Sequence, residues 1–108
     1  MANTFRLKTK NNIGVSTVGI YTVPSSTTTT IIGLTLANVS GSGINVGVGI
    51  TRTSADNVII LKNVPIPQGS TLEVMQGNKI IMETTDTLTV VSDTNSSLDA
   101  SASILEMT

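Results

Sequence analysis

Apolar and polar residues alternate with a spacing of two along most of the chain, the period of a half-buried β-strand. Val18 and Ile20 share one face of a first clear strand, which Val23-Pro24 ends. After the polar stretch Ser25 to Thr30, Ile32, Leu34 and Leu36 point one way, with Gly33 and Thr35 opposite. A Ser/Gly-rich turn covers Asn38 to Gly43. The cleanest alternation follows: Ile44, Val46, Val48 and Ile50 on one face, Asn45, Gly47, Gly49 and Thr51 on the other. Glycines at two outer positions weaken a strand unless another backbone packs closely against them. Ser54 to Asn57 is a loop, and Val58 to Val64 is a denser apolar run that predicts a centrally buried strand. Pro67 with Gly69 two residues later predicts a type I turn. Leu72 and Val74 begin the next strand, and Gly77-Asn78 signals a two-residue hairpin into Lys79 to Met82. Leu88, Val90 and Ser92 alternate, and a last strand runs from Leu98 through Ala100, Ala102 and Ile104. About seven or eight strands at this spacing predict an antiparallel β-sandwich, jelly-roll or Ig-like.

Composition supports strands. The chain holds 18 Thr and 12 Ser, and its β-branched residues fit a pleated surface better than a helix. With one Phe, one Tyr and no Trp, the core is aliphatic, built from Ile, Val and Leu. At 108 residues, with no break in composition, a single domain spanning 1–108 is expected. The start of the chain lacks the apolar core of a signal peptide, and no apolar run reaches a membrane span. Six basic residues against seven acidic ones leave a net charge of −1, without the basic stripe of a nucleic-acid binder.

Little chemistry is offered. There is no His and no Cys, and the carboxylates Asp56, Glu73, Glu83, Asp86, Asp93, Asp99 and Glu106 are scattered, as solvated turn charges would be. No catalytic, cofactor or metal site is expected. Asp93 to Asp99 places oxygen side chains at alternate positions like a calcium loop. However, Leu98 stands where the loop needs Gly, and Ile104 where a bidentate Glu would close it. Asn38-Val39-Ser40 and Asn95-Ser96-Ser97 match the glycosylation sequon, which has no meaning without secretion. The Thr27 to Thr30 run lacks the repeats of a hydroxyl array, and Gly41 and Gly43 lack the helix of a phosphate cradle. Arg6, Lys8 and Lys10 form a basic cluster at the N-terminus. Charge on a solvated edge strand explains such a cluster, which with Phe5 is also the candidate contact to an acidic partner surface.

Four segments carry a resemblance: Ile20-Tyr21-Thr22-Val23-Pro24 through Asn38, Val64 to Leu72, Gly77 to Glu83, and Ser97 to Glu106. In this order they resemble small structural proteins of tailed bacteriophages, marine and cyanobacterial phages in particular. The resemblance implies a virion component, a β-sandwich mounted on the capsid, neck or tail, and supplies no functional residues. The expectation is therefore a non-enzymatic capsid decoration or cement protein. It would be made in the host cytoplasm, bind the assembled major capsid protein, form a homo-oligomer, and contact neither nucleic acid nor membrane. A neck, tail or fibre component is the alternative within that class. A host-surface carbohydrate-binding module is the alternative outside it, with Tyr21 and Phe5 as its only aromatics.

Overall fold

The computed structural model describes residues 2–53, 55–75 and 79–108, which form nine β-strands and no helix. The strands are β1 (Asn3–Ile13), β2 (Val18–Thr22), β3 (Thr28–Asn38), β4 (Ile44–Thr51), β5 (Val58–Ile66), β6 (Thr71–Glu73), β7 (Ile80–Met82), β8 (Thr87–Ser92) and β9 (Leu98–Met107). They pair like one long hairpin folded on itself: β1 with β9, β2 with β8, β3 with β6 and β7, β4 with β5, all antiparallel. Pairing of β9 with β3 and of β8 with β4 rolls this ribbon into two sheets. One has the order β1-β9-β3-β6, with β7 also on β3, and the other the order β2-β8-β4-β5. The nested order is that of a jelly roll and not of an immunoglobulin sandwich.

The core follows from the alternation. Leu34 and Leu36 of β3, Ile44, Val46 and Val48 of β4, Leu88 and Val90 of β8, and Leu98, Ala102 and Ile104 of β9 face one another between the sheets. Each fully buried aliphatic side chain contributes about 1.5–3 kcal/mol. The outer positions of β4 bear out the reading of its glycines. A Cβ on Gly49 would lie 2.9 Å from the Val58 carbonyl oxygen, and one on Gly47 3.3 Å from that of Leu61. A carbonyl of the neighbouring strand β5 comes close to each.

Elsewhere the structure corrects the sequence reading. A bulge between Ile31 and Gly33 reverses the side-chain phase, so Ile31, not Ile32, joins Leu34 and Leu36 in the core. The strand also starts earlier, at Thr28, and buries Thr29. Far from being central, β5 is the edge of its sheet, with Val58 47% and Ile59 69% exposed. Two register shifts against β4 break the link between sequence parity and face, which is why a continuous apolar run misled. In the turn after β5, the Ser70 N–H donates to the Pro67 carbonyl at 3.1 Å and Gly69 has φ +72°. Positive φ at the third residue makes it type II, not type I. The Gly77-Asn78 hairpin signal lies outside the described residues. Asp86 and Glu106 are buried, not solvated.

The Asn38–Gly43 turn is organised by one side chain. The Asn38 Nδ2 donates to the carbonyls of Ser42 and Ile66, at 2.8 and 2.9 Å, while its Oδ1 accepts from the Ser40 N–H and hydroxyl. The sequon asparagine is thereby folded inward and 4% exposed.

Candidate functional site

The N-terminal cluster lies on β1, an 11-residue strand that the sequence alone marked only by its charges. Its register with β9 pairs Arg6 with Ile104, Lys8 with Ala102 and Lys10 with Ala100. Directly opposed residues share a face, and these β9 residues point into the sandwich. The three cations therefore lie on the inward side of an edge strand, and Phe5 lies on the other side, with Leu7 and Thr9. The strand thus separates Phe5 from the cations with which the sequence grouped it.

Inward-pointing charge on an edge strand needs partners, and a polar chain supplies them. The Arg6 Nε donates to the Glu106 Oε1 at 2.5 Å. A bulge between Gly19 and Tyr21 aims Tyr21 from β2 across the gap between the sheets. Its hydroxyl donates to the Glu106 Oε2 at 2.5 Å and lies 2.8 Å from the Thr29 hydroxyl, which donates in turn. Burial, and then the bond to Glu106, push the Tyr21 pKa up to about 12. The Tyr21 and Arg6 donors hold the Glu106 carboxyl below its ordinary value. The Lys8 Nζ sits 5.8 Å from the Tyr21 ring centroid, within cation–π reach. Lys10 is exposed.

One end of the outer side of the same sheet is apolar. Phe5 of β1 pairs with Leu105 of β9, Leu105 with Thr30 of β3, and Thr30 with Ile81 of β7, in one row across four strands. Phe5 is 74%, Leu7 64% and Ile81 65% exposed, and Ile32, thrown outward by its bulge, lies beside them. The alternation Phe5-Arg6-Leu7-Lys8-Thr9-Lys10 carried the signal for this surface, but Ile81 and Leu105 join it only through the sheet.

Several of the other acidic residues are engaged. Arg52 joins Glu83 and Asp86, its Nε donating to the Asp86 Oδ1 at 3.1 Å. In the calcium-like segment, the Asp93 Oδ1 accepts from the Asn45 N–H and the Asp99 Oδ1 from the Asn12 N–H. A groove of about 320 Å³ on the outer face of the four-stranded sheet is floored by Gly47 and Gly49 and flanked by Ile59 and Val91. Tyr21 is 7% exposed, so Phe5 alone of the two aromatics is free to stack on a ligand.

The architecture recurs in known assemblies. A chain of the disulfide-linked pili that form Bacillus endospore appendages is similar over 99% of this chain and 87% of its own, with a TM-score of 0.60 and 12% identity. A chain from the acid-stable capsid of Helicobacter pylori bacteriophage KHP30 is similar over 99% of this chain and 89% of its own, with a TM-score of 0.59 and 7% identity. At such identities the likeness is one of fold. The 108 residues hold no cysteine, so the disulfide link of those pili has no counterpart within them. No protein-family model and no curated protein matches the chain.

Proposed function

We propose that this chain is a non-enzymatic structural subunit of a tailed-phage virion. Its role would be that of a capsid decoration or cement protein, binding the assembled major capsid protein as a homo-oligomer. The observation that carries the reading is the jelly roll itself, shared over 99% of the chain with a chain of a phage capsid. The ordered phage-like segments and the apolar stripe from Phe5 to Ile81 support it. Such a stripe on a small sheet face suits a protein docked on others. A subunit repeated over a shell also needs only weak individual contacts, because the neighbouring sites act together.

Quantitative mass spectrometry of purified virions whose genome encodes the chain tests this. A copy number comparable to that of the major capsid protein is the expected result, and its absence from particles would overturn the reading. A copy number that is a small fraction of the capsid protein's would favour a neck, tail or fibre component instead.

A further inference from the structure

A sheet edge exposes unpaired backbone groups, and most edges in this fold are blunted. The β5 edge carries two register shifts, a positive φ at Asn63 and Pro65, which has no N–H to offer. The β2 strand has five residues and a bulge, and β6 and β7 have three each. The β1 strand differs: from Asn3 to Lys10 its pairing with β9 runs without a shift, and the next irregularity lies between Lys10 and Ile13.

Which backbone groups are free follows from the register. Ala2 and Thr108 exchange both of their N–H···O bonds, at 3.2 and 2.9 Å. In an antiparallel ladder such pairs alternate with non-bonded ones, so Thr4, Arg6, Lys8 and Lys10 turn their N–H and C=O toward β9. Asn3, Phe5, Leu7 and Thr9 turn theirs outward, and all four residues are exposed. Phe5 and Leu7 also form the β1 part of the apolar stripe.

We propose that the free edge of β1 is a docking strand that takes up an extended, acidic segment of another protein as an added strand of the five-stranded sheet. This rests on the reading of the chain as a subunit of an assembly and specifies how it attaches. A strand laid along β1 would bond to the outward groups of Asn3, Phe5, Leu7 and Thr9. Its alternate side chains would stand directly across from Arg6, Lys8 and Lys10, where opposite charge stabilises and like charge destabilises. Glu106 is the carboxylate bonded to this row of three cations, which leaves positive charge over. The remaining side chains of the added strand would extend the apolar stripe beside Phe5 and Leu7. A second copy does not fit the same edge, because antiparallel pairing of β1 with itself sets two basic rows against each other.

The probe is a short peptide alternating glutamate and valine, titrated into isotopically labelled full-length protein and followed by NMR. Without peptide, the outward amides of Phe5, Leu7 and Thr9 should exchange with solvent quickly, and those of Arg6 and Lys8 slowly. With peptide, shifts and new protection should centre on the outward set. Thr9→Pro removes one outward N–H and should abolish binding, whereas Thr9→Val keeps it. Lys10→Glu should shift preference toward a lysine–valine peptide by about fivefold, a readout that does not depend on the proline variant folding. Shifts that map away from β1, equal binding of the two peptides by the unmodified protein, or peptide-free protection of the outward amides that grows with concentration would each overturn the proposal. The last outcome would assign the edge to a second copy. None of these results alters the copy number in virions, so the two readings fail separately.

Discussion

Replacing Tyr21 by Phe removes one oxygen and leaves the ring in place, which isolates the polar link between the sheets. In the native fold that oxygen donates to the Glu106 Oε2 and accepts from Thr29. Glu106 is 7% exposed, so its carboxylate has little water to replace the lost donor, although Arg6 remains on its other oxygen. A hydrogen bond to a charged group is worth about 1.5–3 kcal/mol. A loss of about 2 kcal/mol is therefore expected for Tyr21→Phe, or a fall in Tm of roughly 10 °C for a domain of this size. Urea unfolding at a series of pH values is the assay. The folded pKa of Glu106 is depressed, so its contribution is present above the unfolded value of about 4.3 and lost as pH falls through the folded one. Tyr21 behaves in the opposite sense. With its pKa raised from 10.0 to about 12, its contribution is present below pH 10 and lost as pH rises to about 12. The gap between wild type and variant should thus be widest at neutral pH and narrow toward both extremes. A neutral-pH gap below about 0.5 kcal/mol, or one that persists undiminished at pH 3, would refute the assigned network.

Gly49→Ala sets a Cβ 2.9 Å from the Val58 carbonyl and should destabilise by about 1–3 kcal/mol, whereas Gly41→Ala, with nothing within 4 Å, should be neutral by the same denaturation assay. Asn38→Ala leaves the Ile66 carbonyl and the Ser40 N–H without their partners and should cost about 2–3 kcal/mol, with the largest NMR shifts in the Asn38–Gly43 turn. A Phe5→Ala variant should leave urea stability within about 0.5 kcal/mol of wild type while weakening attachment to particles in a sedimentation assay. Equal stability losses at Phe5 and Gly49 would contradict the contrast between an exposed side chain and a closely packed backbone.

By itself the sequence determined that this protein is all-β and that its interior is aliphatic, and it marked Gly47 and Gly49 as costly unless another backbone comes close. Each of these rests on local physics: period-two burial, β-branched side chains, and the absence of a Cβ. Bulges were not legible, because one inserted residue exchanges the faces of every residue after it. Ile32 therefore points out and Ile31 in, and β5 forms an edge despite its apolar run. Burial of Glu106 was also hidden, since its partners Arg6 and Tyr21, and the Thr29 that bonds to Tyr21, come from three other strands. Only the rolling of the ribbon placed Phe5, Leu105 and Ile81 in one row and left β1 at an edge. Strand neighbours are chosen by long-range pairing, and no local pattern along the chain encodes which strand will be left without one.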